Sequence, residues 1–168
     1  MFRVVLCWFI LVVLIGGIYG VCDCKPKTAK EAFCNADWVS HLKIVKKNLV
    51  NTTDDETGLP SGAQLSYSVK HIDVFKKPAT IKKLSDNVGT RISSAACGLD
   101  YLQEGHEYLL SGSVDEKGKL FVGSCGQIQS DSTNSSAGFP QQWIKMTKTQ
   151  KVKLLSGGYG KNCTAIAE

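Results

Sequence analysis

Cysteine placement constrains this chain more than any other feature. Cys22, Cys24, Cys34, Cys97, Cys125 and Cys163 follow a leader-like N-terminus, and the first two enclose a single residue in the run Cys22-Asp23-Cys24-Lys25-Pro26. An even set of cysteines in a secreted chain implies a disulfide framework, here of three bridges, although spacing alone does not choose among the many possible pairings. Bridges that close long loops stabilise a fold by roughly 3–4 kcal/mol each, by limiting the unfolded ensemble.

Residues 1–21 have the three parts of a secretory signal: a positive charge at Arg3, an apolar stretch from Val4 to Ile15, and small residues at Gly16, Gly17 and Gly20. The apolar run is shorter than the roughly 20 residues that span a bilayer, so the expectation is a secreted protein with no membrane span. Removing the leader takes away Cys7 and Arg3, and the formal net charge of +5 falls by one. Small residues are preferred where a signal is cut, which favours cleavage after Gly20 and leaves Val21 in front of Cys22. Cleavage after Val21 would instead make Cys22 the N-terminal residue. A free α-amine would then lie beside a backbone carbonyl, and that pair can chelate a metal.

A chain of this length buries one core, so one domain, present as a monomer, is expected. Lysines cluster at Lys43, Lys46 and Lys47, at Lys76, Lys77, Lys82 and Lys83, and at Lys145, Lys148, Lys151 and Lys153. Secretion excludes nucleic acid as a partner. The simplest reading of these clusters is a solvated surface, and the sharper one is contact with sulfated glycans of the extracellular matrix. Asn51-Thr52-Thr53 and Asn134-Ser135-Ser136 are N-glycosylation acceptors in polar stretches. Asn162-Cys163-Thr164 also fits, but its middle cysteine is expected to be bridged early in folding.

The pattern from Val39 to Val50 reads as a strand, and Asn51 to Gly62 as a loop. Leu65, Tyr67 and Val69 alternate with small or polar residues, and Ile72 and Val74 resume on the opposite parity, as a bulged strand would. Thr80–Leu84 and Thr90–Ala96 are weaker strand candidates. Tyr108–Val114 and Lys119–Ser124 flank Asp115-Glu116-Lys117-Gly118, the clearest hairpin in the chain. Gln127–Gly138 reads as a polar loop. Gln141–Leu155 reads as a helix with Trp143, Ile144, Thr147, Leu154 and Leu155 inward, stopping at Ser156-Gly157-Gly158. Many short strands with one late helix predict a closed β-barrel packed by helices.

No catalytic constellation emerges, so the protein is not expected to be an enzyme. His41, His71 and His106 lack metal-ligand spacing and read as strand or loop residues. Cysteines bridged in an oxidising compartment offer no thiolate nucleophile. No nucleophile elbow or phosphate-binding glycine loop is present.

Cys22-Asp23-Cys24-Lys25-Pro26, the run Ala32-Phe33-Cys34-Asn35-Ala36-Asp37-Trp38-Val39, and the later Cys97-Gly98, Cys125 and Cys163 resemble the tissue inhibitors of metalloproteinases, which share the netrin-like module. The resemblance covers the mature chain and corresponds to the N-terminal inhibitory domain of the vertebrate members. It implies a signal peptide at 1–21, a netrin-like domain at 22–163 and a short tail at 164–168. The implied fold is mainly β, a five-stranded closed barrel of oligonucleotide-binding-fold type with flanking helices. The implied bridges are Cys22–Cys97, Cys24–Cys125 and Cys34–Cys163. It further implies that the Cys22 amine and carbonyl bind the catalytic zinc of a target metalloproteinase. Asp23 would enter the specificity pocket, Cys24, Lys25 and Pro26 would lie in the cleft, and Ser94 and Ala95 would form a second ridge. The protein would need no cofactor of its own and would share the zinc of its target. Inhibitory members usually carry Thr or Ser where Asp23 stands. The competing reading is a netrin-like module that does not inhibit and instead binds matrix glycans or a secreted protein partner.

Overall fold

The computed structural model describes residues 22–53, 60–131, 138–161 and 163. The expected leader, the tail and the acceptors Asn134 and Asn162 lie outside the described residues. Among the described residues no helix is long and apolar enough to cross a membrane.

The first element among the described residues is helix α1 (Ala29–Asn35), which the sequence reading did not anticipate. The signal was present in Thr28-Ala29-Lys30-Glu31, a capping box. The Thr28 hydroxyl accepts from the Glu31 amide, and the Glu31 carboxylate accepts from the Thr28 amide at 2.7 Å. These bonds hold the Glu31 carboxyl below its usual range. At the other end Lys76 donates to the Phe33 and Cys34 carbonyls at 3.1 and 2.6 Å, meeting acceptors that a helix C-terminus leaves open. Burial lowers the Lys76 pKa, with the charge of Asp37 opposing.

Strands β1 (Trp38–Thr53) and β2 (Pro60–Lys76) form a long antiparallel ribbon. β3 (Asn87–Thr90) pairs antiparallel with β2 and parallel with β5 (Leu120–Phe121). β4 (Glu107–Val114) pairs antiparallel with both β5 and β1, so the neighbours β1-β2-β3-β5-β4 return to β1 as a ring of five strands. β6 (Gln141–Gln142) adds to the free part of β4. The described residues are thus mainly β, with two helices and three disulfides.

Alternating side chains bury both faces of the ring where β1 meets β4. Trp38, Leu42 and Leu110 point inward to a core that also holds Tyr67, Val88 and Leu120. Val39 and Leu109 point outward to a second core with Phe33 of α1, Ile128, Met146, Leu154 and Tyr159. Tyr67 lies wholly within the first core, and burial pushes its phenol up to about 12 while its hydroxyl donates to the Leu99 carbonyl at 2.7 Å.

The structure corrects several expectations. Asn51 belongs to β1, paired with Ala63, and not to a loop. β2 is bulged at Ile72, as its parity change implied, but Ile72 and Val74 are each 45% exposed instead of returning to the core. Thr80–Leu84 is a turn that buries Leu84 and joins no ladder. Of Thr90–Ala96 only Thr90 is in a strand, and Ser94–Ala96 is a 3-10 turn. The supposed polar loop begins with buried Gln127, Ile128 and Gln129, because the Gln127 amide donates to the Ser111 and Gly123 carbonyls at 2.8 Å. The continuous helix over Gln141–Leu155 is broken into β6, a 3-10 turn (Trp143–Lys145) and helix α2 (Lys148–Leu155). Thr147 is extended and caps α2 by accepting from the Gln150 amide, which fixes where that helix starts. Ile144, Thr147 and Leu155 are therefore exposed, Met146, Gln150 and Leu154 are buried, and Trp143 packs half-buried against the second core as read.

The hairpin at Asp115–Gly118 forms, but its second strand is Leu120–Phe121 alone and not the whole of Lys119–Ser124. Asp115 accepts from the amides of Lys117 and Lys119, and Gly118 takes a φ of +78°.

Gly112 of β4 lies so close to β5 that a Cβ there would be 1.9 Å from the Phe121 carbonyl oxygen. Gly112→Ala is expected to cost about 3 kcal/mol, because two paired backbones must separate. Thr28→Ala, which removes only the α1 cap, should cost about 1 kcal/mol. Urea denaturation checks both, and equal midpoints for the two variants would contradict this packing.

Candidate functional site: the tethered N-terminal edge

Residues 22–28 join neither a helix nor a ladder, and two covalent ties hold them. Cys22 is bonded to Cys97 and Cys24 to Cys125, with Cα–Cα distances of 5.1 and 5.2 Å. The bridges lie against each other: Cys22 Sγ is 3.7 Å from Cys125 Sγ and 3.8 Å from Cys24 Sγ. With its two neighbours Cys22 and Cys24 tied to the body, Asp23 faces solvent. Asp23, Lys25 and Pro26 are exposed, and Cys22 and Cys24 half-buried.

The sulfurs of Cys22, Cys97 and Cys125 lie within 4.8 Å of one another, a spacing that metal ligands also have. Each is already spent in a disulfide, so none is a thiolate, and the cluster is not a metal centre. The third bridge, Cys34–Cys163, ties the end of α1 to residue 163 and stands apart from this pair in its connections.

Beside the bridges lies the ridge that contains Ser94 and Ala95, both exposed. Ser93 caps its 3-10 turn by accepting from the Ala95 amide at 3.2 Å. Cys97 ends the turn in the left-handed region at φ 61°, an uncommon state for a residue with a Cβ. The next residue explains how it is held. Gly98 donates to the Ser93 carbonyl at 2.9 Å, and a Cβ on Gly98 would lie 2.1 Å from the Arg91 carbonyl oxygen. The Cys97 carbonyl accepts from the Ser124 amide, which brings the segment before Cys125 alongside. Sequence reasoning singled out Ser94 and Ala95 and named Gly98 only as part of the resemblance, but it missed Ser93, whose signal was a Ser ahead of a small-residue run.

The histidines belong to the scaffold. His41 Nδ1 is 3.1 Å from Asp73 and Nε2 is 2.9 Å from Glu107, and its ring stacks on Trp143 at 3.8 Å between centroids. His71 contacts the Ser40 hydroxyl and the Ser85 carbonyl, and His106 contacts Gln142.

Several clustered lysines are likewise occupied. Lys76 caps α1, Lys77 donates to the Ile81 carbonyl, Lys83 pairs with Asp86, Lys47 donates to the Asp100 carbonyl, and Lys153 pairs with Asp131. Lys43 and Lys70 stand directly opposite each other across β1 and β2.

The described residues thus form a small β scaffold that carries an exposed chain segment tied to it by two disulfides. The chain belongs to the tissue inhibitor of metalloproteinase family, whose profile matches residues 20–167. It is similar to the Caenorhabditis elegans protein named "Putative metalloproteinase inhibitor tag-225", with 38% identity over 122 residues that cover 69% of this chain and 73% of the relative. It is also similar to human metalloproteinase inhibitor 2, with 32% identity over 143 residues, 84% of this chain and 57% of the relative. The rabbit protein of the same name is 32% identical over 143 residues, with 65% of its length covered. The chain thus matches little more than half the length of the human relative. The family is one of protease inhibitors and not of enzymes.

Replacing Cys24 and Cys125 together by alanine opens a loop of 101 residues. The expected loss is roughly 3–5 kcal/mol. Amide hydrogen exchange should rise in residues 22–28 well before the ring unfolds. Unchanged exchange in that segment would mean that the second tether is redundant.

Proposed function

We propose that the mature protein is a secreted inhibitor of zinc metalloproteinases, acting through Cys22. The observation that supports this reading is the pair of bridges, Cys22–Cys97 and Cys24–Cys125, which tie an exposed segment to the body, the first of them just after Ser94 and Ala95. A catalytic zinc keeps one position open for water or substrate. With the leader cut between Val21 and Cys22, the Cys22 α-amine and carbonyl would form a bidentate ligand that displaces that water and stops its activation as a nucleophile. The protein would contribute no metal of its own. Three disulfides fit the oxidising compartment that secretion implies. We read the ring of five strands as the closed barrel of a netrin-like domain spanning 22–163, with 164–168 as a tail.

Asp23 would enter the specificity pocket. A carboxylate moved from water into an apolar pocket loses hydration and gains no partner, at a cost of several kcal/mol. The favoured target is therefore a metalloproteinase with a cationic or strongly hydrogen-bonding group in that pocket.

One observation favours a second reading, a module that binds sulfated glycans without inhibiting. Like charges placed directly opposite on paired strands repel, and Lys43 and Lys70 are so placed, although Lys43 also has Glu107 of β4 opposite it on its other side. A sulfate between them would relieve that repulsion.

The test begins with the mass of the N-terminal peptide after reduction and alkylation. Cys22 at the terminus should accompany inhibition of zinc metalloproteinase catalytic domains, and a form that retains Val21 should be inactive. Equal potency of the two forms would sink zinc chelation. Asp23→Thr should tighten binding to a target with an apolar pocket by at least about 10-fold, the factor that corresponds to about 1.4 kcal/mol. A weaker Asp23→Thr variant would instead show that the carboxylate has a partner there.

A further inference from the structure

The proposed edge and ridge, residues 22–26 and 94–95, are far fewer than the roughly 20–30 residues a side of a stable protein–protein interface. A tight inhibitor must therefore cover adjoining surface as well. The structure supplies one apolar candidate next to the edge. Tyr101 and Phe139 are 40% and 58% exposed, and their rings are 5.7 Å apart between centroids with a 47° tilt. They are joined to the edge through the residue between them and Cys24. The Tyr101 hydroxyl is 3.5 Å from the Gly138 carbonyl, and a Cβ on Gly138 would lie 3.3 Å from Cys24 Sγ.

The pair is also held from below. Buried Gln150 donates to the Gln129 carbonyl at 2.9 Å, and the Gln129 amide donates to the Phe139 carbonyl at 2.8 Å. Exposed aromatic rings on fixed backbone lose little freedom on binding. Tyrosine and phenylalanine are among the residues enriched in interface cores. Behind them an open groove of about 590 Å³, bordered also by Tyr108, Gln142 and Lys145, leaves room for a partner's chain.

We infer that Tyr101 and Phe139 form a second contact site for the same metalloproteinase, receiving an apolar part of the protease surface that flanks its catalytic cleft. This inference rests on the inhibitor reading above. Because Gly138, which precedes Phe139 and meets the Tyr101 hydroxyl, lies against Cys24, a protease that engages residues 22–26 has its cleft rim brought close to the two rings. Zinc chelation uses backbone groups and is alike for every target, so this rim would help set which target is bound.

The experiment measures inhibition constants of the mature protein, with Cys22 at its terminus, against a panel of secreted zinc metalloproteinase catalytic domains. The variants are Phe139→Ala, Phe139→Leu and Tyr101→Ala. Ile144→Ala serves as control, since Ile144 is 86% exposed and lies outside the edge, ridge and groove. Phe139→Ala and Tyr101→Ala should weaken inhibition of the best target by about 10-fold, as truncated hot spots do, mainly through faster dissociation. Phe139→Leu should recover part of the loss, and Ile144→Ala should stay within about 2-fold, as neutral surface positions do. Melting temperatures of the Phe139 variants should match the parent, since the ring packs on no core. If the parent inhibits and both Phe139 variants inhibit equally well, the second contact site is wrong and the edge reading stands. If the parent inhibits no member of the panel, the edge reading fails, and this inference falls with it.

Discussion

Residues 22–27 have no ladder partner and precede the Thr28 cap of α1, so the bridges at Cys22 and Cys24 are what fix the start of the edge. A single tether fixes a point and leaves the chain free to swing about it. Two tethers at Cys22 and Cys24, one residue apart, fix both position and facing, and Asp23 between them faces solvent. The loops closed are 75 and 101 residues long. Because loop entropy grows with the logarithm of length, each bridge is worth roughly 4 kcal/mol in the same model. The ordering of the edge is thus met during folding, and a partner that binds it need not supply that entropy.

The tethers in turn depend on strand topology. Cys97 follows β3 and Cys125 follows β5, and these are the parallel neighbours of the ring, with Val88 opposite Leu120 and Gly89 opposite Phe121. Parallel strands leave a sheet at the same end, so the segments after β3 and β5 emerge side by side. Backbone bonds from Val122 to Gly89 and from Ser124 to Cys97 prolong that contact to the bridges. An antiparallel pair would have sent the two cysteines to opposite ends. Gly112 belongs to the same arrangement, since β4 approaches β5 closely enough to leave no room for a Cβ.

The parts of this molecule that were legible in the sequence are those set by short-range chemistry. The hairpin at Asp115–Gly118 needs only a carboxylate for two amides and a glycine for positive φ, and both are visible in four letters. The β1–β2 ribbon showed itself as alternating apolar residues, and the resemblance marked the edge at Cys22–Pro26. What was illegible depends on partners distant in sequence. Gln127 reads as a loop residue until the Ser111 carbonyl is known to lie beside it. His41 reads as an isolated strand histidine, yet Asp73, Glu107 and Trp143 surround it from β2, β4 and the turn after β6. The apolar residues of 141–155 gave a false helical face, because the Thr147 cap, a local feature, was outweighed in the reading by an imperfect period. Ile144 and Leu155 then fell on the wrong side of it.

The ridge beside the edge carries a different kind of constraint. Cys97 sits in the left-handed region, which costs a residue with a Cβ about 1–2 kcal/mol, so the surrounding structure must hold it there. It does so through the bridge to Cys22, the Ser124 bond to its carbonyl, and Gly98, whose backbone lies against Arg91 where no side chain fits. The strained residue and the edge are thus two ends of one bond. On the proposed mechanism this coupling sets how targets are told apart. An α-amine and a carbonyl would bind zinc in the same way whatever side chain followed, so they supply affinity without preference. Preference has to come from groups held at fixed offsets from them: the charge of Asp23 in a pocket, the exposed Ser94 and Ala95 on a ridge locked by Cys97, and the aromatic pair at Cys24. A scaffold that let any of these drift relative to Cys22 would keep the chelating group and lose the means to choose a target.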